Sequence, residues 1–493
     1  MASSVLATGH SLLCGDAPAT IFLTFRNMCL PSLSTELMQC GCNLKQDTTT
    51  IDLVFNRNQF SAKEAYMTAD ADPATQRFLS QPSALPPADI EKSTRVHQAL
   101  GLSASLTLLF SVTCALAVAN VYFAQPLLDS MAQSLGVASS MIGVVVTATQ
   151  VGYALGLLFI VPLGDLVNRK RLILTQVLLS AVALAAVGAA QQWLALLGAM
   201  IVMGLLAVVV QVLVAYAAML ATPSQRGHAV GTVTSGIVLG ILLARFTSGL
   251  IADIAGWRAV YFVSSGLMLT IAAVLWKVVP VTAPPRHQDS YLALISSVFK
   301  LFITERILRA RGLLALLIFA AFSVLWTSMV LPLSAPPLSL SHTAIGMFGL
   351  AGVAGALAAR RAGRWADQGL GQRVTGISLG LLTLSWLPIT FAETSLIALI
   401  CGVVLLDFAV QAVHVTNQSL IFAARPDAQS RMVGAYMCFY SVGSALGAAA
   451  ATQVYALWGW IAVSLLGASI SATALVLWFL TFHFSTNDQG RSA

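Results

Sequence analysis

The sequence predicts an all-α membrane protein: twelve transmembrane helices in two six-helix repeats. Three observations carry this reading. Only 9% of the 493 residues are charged and 57% are hydrophobic, whereas a soluble globular chain carries roughly 25% charged residues. So few charges cannot clothe a chain of this length in a water-compatible surface, and its natural solvent is lipid. Twelve apolar runs, numbered here as spans 1–12, begin near residues 104, 139, 172, 194, 229, 259, 312, 343, 374, 395, 432 and 460. Each approaches the roughly 20 residues that a helix needs to cross about 30 Å of hydrocarbon. Finally, landmarks of the two halves recur at one offset, as set out below.

Residues 1–100 differ from the rest. They hold 9 of the 19 acidic residues and no long apolar run, and we expect a disordered tail. Ile21–Phe25 is too short for the apolar core of a signal peptide and lacks a small-residue cleavage site. Met67 is an alternative start, which would make 1–66 an over-extended reading of the gene. Cys14, Cys29, Cys40 and Cys42 lie in this tail, and Cys114, Cys401 and Cys438 lie inside spans. That spread is no disulfide framework. Cys40 and Cys42 lack partners at zinc spacing, so no metal site and no cofactor are expected.

Residues 101–280 form the expected N-terminal six-helix half and 312–483 the C-terminal half. The connection 281–311 is read as a cytoplasmic linker and 484–493 as a tail. Within the linker, Tyr291–Phe302 has the pattern of an amphipathic helix at a membrane surface.

Basic residues cluster in alternate loops. Arg169, Lys170 and Arg171 follow span 2, Arg226 and His228 follow span 4, Lys277 to Arg311 separate spans 6 and 7, Arg360 to Arg373 follow span 8, and Arg425 and Arg431 follow span 10. By the positive-inside rule these loops and both termini are cytoplasmic. The net charge of +7 is thus accounted for by topology, and a nucleic-acid partner is not expected.

The repeat is visible in the residues. Pro223–Gly231 resembles Pro426–Gly434. Val230 pairs with Val433, Gly231 with Gly434, Gly240 with Gly443, and Gly256-Trp257 with Gly459-Trp460, all at an offset of 203; Asp165 and Asp367 differ by 202. Two parallel repeats set a substrate site at their interface, near the bilayer midplane.

The segment Val161-Pro-Leu-Gly-Asp165-Leu-Val-Asn-Arg169-Lys170-Arg171 resembles the loop signature of the major facilitator superfamily. Leu163, Asp165, Arg169 and Lys170 match it, while Val161, Leu166 and Asn168 depart. Gly363-Arg-Trp-Ala-Asp367 is a second partial copy. The resemblance covers roughly residues 102–483. It implies a secondary transporter working by alternating access in a bacterial inner membrane. It also implies a cytoplasmic gate in which Asp165, with Arg169, Lys170, Arg171 and Asp367, latches that side closed. An acid there can accept from a helix N-terminus and pair with arginine; the basic cluster also serves simply to orient the bundle.

Span 5 is similar to the glycine pattern of the drug:proton antiporter branch. Gly231, Gly240 and Gly249 fit, but Ala244-Arg245 stands in place of Gly-Pro and Ser248 in place of a Gly. The span-4 arginine of that branch is Met200 here, so proton coupling would use other groups.

Span 10 offers those groups. Asp407, Gln411, His414 and Gln418 recur at helical spacing and share one face. Asp407 is the deepest acid; ionised at mid-membrane it would cost about 2.5–3.5 kcal/mol or more unless it faced a cavity. It is a proton-coupling candidate, with His414 as relay or substrate contact. The alternative is a polar stripe that fixes packing. Arg245 either snorkels outward or faces the cavity and pairs with Asp407 or an anionic substrate. Gln211, the offset partner of His414, with Asn120, Tyr122, Gln125 and Gln150, completes the substrate-cavity candidates.

The leading expectation is proton-coupled export of small organic molecules or drugs by a monomer whose partners are substrate, protons and the lipid bilayer. A proton-independent or symport-type uptake carrier for a sugar or organic acid is the second, and a non-transporting membrane sensor the third. No nucleotide-binding P-loop pattern is present, and no residue grouping points to an enzyme.

Overall fold

The computed structural model describes residues 20–26, 43–47, 50–56, 103–222, 225–280, 290–424 and 429–489. The rest of the expected tail, with Met67, Cys40 and Cys42, lies outside the described residues. Residues 1–96 and 97–493 are separate compact units. In the first, strands β1 (Thr20–Arg26), β2 (Asn43–Asp47) and β3 (Thr50–Asn56) form an antiparallel sheet in the order β1-β3-β2. These strands depart from the disorder expected there. Ile21, Leu23 and Phe25 recur with a period of two, as do Ile51, Leu53 and Phe55, and a reading tuned to membrane-length runs passes over so short a signal. Register sets Ile21 opposite Phe55, Leu23 opposite Leu53 and Phe25 opposite Ile51.

The second unit is helical. Among its described residues nine helical segments are long and apolar enough to cross a membrane. Span 1 runs from Ala104 to Leu135 with a 3-10 turn at Gln125–Leu127, and span 2 is Val144–Phe159. Span 3 is Arg169–Ala189, and span 4 joins Trp193–Ala207 to Val209–Leu220. Spans 5 and 6 are Arg226–Ala255 and Trp257–Val278, span 7 is Arg306–Ser328 prolonged by Val330–Ser334, and span 10 is Leu396–Ala424.

The ninth segment is two helices. Gln429–Gln489 breaks at Gly459, with φ 72° and ψ −169°, and so supplies spans 11 and 12. Gly256, between spans 5 and 6, has φ 78° and ψ 163°. This region of backbone space is open in practice only to glycine. The two Gly-Trp corners read as repeat partners thus share one backbone conformation.

Spans 8 and 9 complete the set. Span 8 is a chain of shorter pieces, His342–Met347, Phe348–Ala351 and Gly352–Trp365, and span 9 is Gly371–Ile389. Close helix approach also repeats. A Cβ on Gly240 would collide with the Ala115 carbonyl of span 1, and one on Gly443 with the Leu316 carbonyl of span 7.

The linker is shorter than the sequence suggests. A helix at Tyr291–Thr304 leads almost directly into span 7, so Arg306, Arg309 and Arg311 belong to the span. Arg311 is 6% exposed. Its Nη1 donates to Asn417 Oδ1 at 3.3 Å and Thr375 Oγ1 at 3.5 Å. A cluster of arginines reads as loop by charge alone; here helix propensity and these buried acceptors carry the helix through it.

The two halves meet away from the basic loops. Thr147 Oγ1 donates to the Ala445 carbonyl at 2.9 Å, and Thr452 Oγ1 to the Ser140 carbonyl at 2.9 Å. Between the halves, toward the basic-loop face, lies the cavity.

Candidate functional site

The cavity measures about 410 Å3 and is lined from both halves, by residues of spans 1, 2, 4, 5, 7, 8, 10 and 11. Val214, Val230, Gln418 and Val433 line it toward the basic-loop face. Most of its wall is aliphatic or aromatic, with a few polar groups between, the usual make-up of a small-molecule site.

The span-10 face enters this cavity whole: Asp407, Gln411, His414 and Gln418 all line it. Asp407 is 5% exposed. Its Oδ1 accepts from Trp326 Nε1 at 3.2 Å, and its other oxygen carries no hydrogen bond among the described residues. Gly352 of span 8 leaves room there; a Cβ on it would sit 3.5 Å from Asp407 Oδ2.

Arg245 faces inward and does not snorkel. It is 2% exposed and lines the cavity. Nε donates to Gln125 Oε1 at 2.6 Å. Its guanidinium lies over three rings, 3.8 Å from the Trp326 centroid, 5.0 Å from Tyr122 and 5.6 Å from Phe322. Such stacking stabilises a desolvated cation. Nη2 has no hydrogen-bond partner among the described residues. The direct Arg245–Asp407 pair considered from sequence is absent: the ion pairs seen within 4.0 Å, such as Arg169–Asp165 and His342–Asp253, do not include it. Trp326 stands between the two charges instead, stacked on one and donating to the other.

His414 Nδ1 lies 3.0 Å from the Tyr436 hydroxyl, and its ring meets Phe319 edge to face at 5.1 Å. Gln211 Nε2 donates to Tyr153 at 3.4 Å, and both line the cavity with Gln150, whose Oε1 is buried without a partner among the described residues. Tyr122 lines the cavity, and its hydroxyl meets that of Tyr440 at 2.5 Å, a hydrogen bond from one half to the other.

Two of the expected cavity residues do other work. Asn120 is buried away from the cavity and accepts from Ser264 Oγ at 2.6 Å, which ties span 1 to span 6. Gln125 holds Arg245 from a small recess beside the main cavity. In both cases the polar side chain was legible and its partner, more than a hundred residues away, was not.

The loop after span 2 is knitted into its own half. Asp165 accepts from Arg169 Nη2 at 3.1 Å, and Arg169 Nε donates to the Gly164 carbonyl at 2.9 Å. Lys170 Nζ reaches the carbonyls of Trp276 and Val279 at 2.8 and 2.5 Å. The Arg171 N–H is capped by Asn168 Oδ1 at 3.2 Å. No bond from Asp165 to the other half is present among the described residues, and the side chain of Asp367 lies outside them.

Sequence reasoning missed Tyr436 and Tyr440, and the repeat offset could have found the latter. Val230, Thr234 and Ile237 of span 5 line the cavity, and 203 residues on stand Val433, Met437 and Tyr440, which line it too.

This architecture defines a multi-pass membrane protein with a central cavity between two repeats. The family model of the Major Facilitator Superfamily matches residues 108–423 and 313–492, and the chain belongs to that superfamily. Uncharacterized transporter YgaY of Escherichia coli O157:H7 is 47% identical over 382 residues, which is 78% of this chain and 97% of the relative. Inner membrane transport protein YnfM of Escherichia coli K12 is 25% identical over 300 residues, 60% of this chain and 70% of that one. A crystal structure of the nucleoside transporter NupG, in a point-mutant form, superposes with a TM-score of 0.63 over 76% of this chain and 99% of NupG, at 12% identity, and shares the fold. The protein is a membrane transporter of the major facilitator type.

Proposed function

We propose that the chain is a proton-coupled exporter of small organic molecules. It would work as a monomer in the inner membrane with both termini cytoplasmic. The observation that carries the reading is Asp407, a carboxylate in the cavity with one oxygen held by Trp326 and the other free of hydrogen bonds among the described residues. A proton and a polar group of the substrate would compete for that second oxygen. Mutual exclusion at one carboxylate is the condition for exchange, because each ligand then shifts the carrier only when the other has left. Arg245 sits in the opposite half and supplies the counter-charge, in place of the span-4 arginine that Met200 replaces. The partial glycine pattern of span 5 supports export.

The test is proton movement in proteoliposomes, read with a pH-sensitive dye while a panel of small organic compounds is added to wild type and Asp407→Asn. The reading expects a compound-dependent proton flux in wild type that vanishes in the variant. Compound movement without proton flux, equal in both proteins, would leave a facilitated carrier.

A further inference from the structure

The face opposite the basic loops carries a polar cluster that the cavity does not use. Asp253 stands in the last turn of span 5, in the N-terminal half. Its Oδ1 accepts from the His342 backbone N–H at 3.1 Å and lies 2.7 Å from His342 Nδ1. Its Oδ2 accepts from the Thr343 N–H at 2.8 Å and the Thr343 hydroxyl at 2.6 Å. His342 and Thr343 open span 8, in the C-terminal half. The far nitrogen of the ring, His342 Nε2, lies 2.5 Å from Ser130 Oγ on the outer stretch of span 1. The distances fit an imidazole whose Nδ1–H donates to Asp253 while Nε2 accepts from Ser130. One histidine of one half is thereby gripped by two elements of the other.

We propose that Ser130, His342 and Asp253 form a clasp that holds this face of the transporter shut, and that its release is required for the cavity to open there. The backbone beneath supports the assignment. Gly249 packs on the His342 carbonyl and Gly346 on the Arg245 carbonyl, so spans 5 and 8 approach backbone to backbone at these two points. The halves cannot part on this face while these contacts stand. A hydrogen bond to a charged group is also stronger than a neutral one, and Asp253 receives four donors, all from the other half. The order Ser–His–Asp is that of an activated serine nucleophile; here each member of the chain joins one half to the other, and the acid is shared with the span-8 backbone. The clasp does not rest on proton coupling or on any substrate.

The test is amide hydrogen exchange read by mass spectrometry on the full chain in lipid nanodiscs, comparing wild type with Asp253→Ala and Ser130→Ala. If the clasp governs opening, Asp253→Ala speeds exchange by roughly tenfold or more, as expected when a charge-assisted hydrogen bond is lost. The gain must extend beyond 342–347 to the distant inter-half contacts at 140–147 and 445–452, with slower exchange at 230–241 and 433–440 near the basic-loop face. Ser130→Ala, which spares the Asp253 bonds, should give the same pattern more weakly. Faster exchange confined to 342–347, or no change, would overturn the proposal. A variant that simply fails to fold would exchange faster everywhere, and Ser130→Ala then decides.

Discussion

At the scale of single residues, the cavity sets an acid, Asp407, and an arginine, Arg245, in different halves, joined through the indole of Trp326. Arg245 is held in a buried place where Gln125 takes one N–H and three rings lie over its guanidinium. Replacing Gln125 by Leu removes the acceptor and leaves a buried cation short of a bond, which costs about 1–3 kcal/mol. We expect a lower thermal unfolding temperature in detergent for Gln125→Leu. Asn120 belongs to packing, through Ser264. Asn120→Ala should therefore lower thermal stability and leave the apparent substrate affinity in a transport assay unchanged; a raised KM would return it to the binding site. How legible this site was follows from what each residue needs. Asp407 stood out because an acid far from either end of a span demands a cavity. The fate of Arg245 was not readable, since snorkelling and burial differ only in what lies opposite, and Gln125 and Trp326 come from other spans.

At the scale of elements, the sequence repeat becomes a repeat of backbone geometry. Gly256 and Gly459 take the same conformation at the corners between spans 5 and 6 and spans 11 and 12. An alanine at either corner stores strain of about 1–3 kcal/mol. Gly459→Ala and Gly256→Ala should each lower the unfolding temperature, whereas Gly266→Ala, in mid-helix with nothing within 4 Å of an added Cβ, should not. Equal stability of all three variants would show that the corners tolerate side chains. Most spans could be read directly because continuous apolar runs have one use in a chain this poor in charge. The start of span 7 could not: Arg306, Arg309 and Arg311 look like loop until the acceptors Asn417 and Thr375 are seen beside Arg311. The strands of residues 20–56 escaped for the opposite reason, since strands of 5 to 7 residues carry too little pattern to stand out.

At the scale of the whole molecule, the two halves touch on one face and enclose a cavity that reaches toward the other. Tyr122–Tyr440, Arg245–Trp326 and the Asp253–His342 cluster are all contacts between halves, so a substrate leaving by the closed face must break them together. Proton coupling requires the charge on Asp407 to decide whether that happens with or without cargo. The most direct measurement compares two modes of transport in the same Asp407→Asn protein: uphill accumulation driven by an imposed pH gradient, and exchange of labelled for unlabelled compound at equilibrium. We expect the variant to lose gradient-driven accumulation and to keep equilibrium exchange only at raised compound concentration, because the amide mimics the protonated acid that excludes the substrate. Accumulation that persists in the variant at the wild-type level would contradict Asp407 as the proton site.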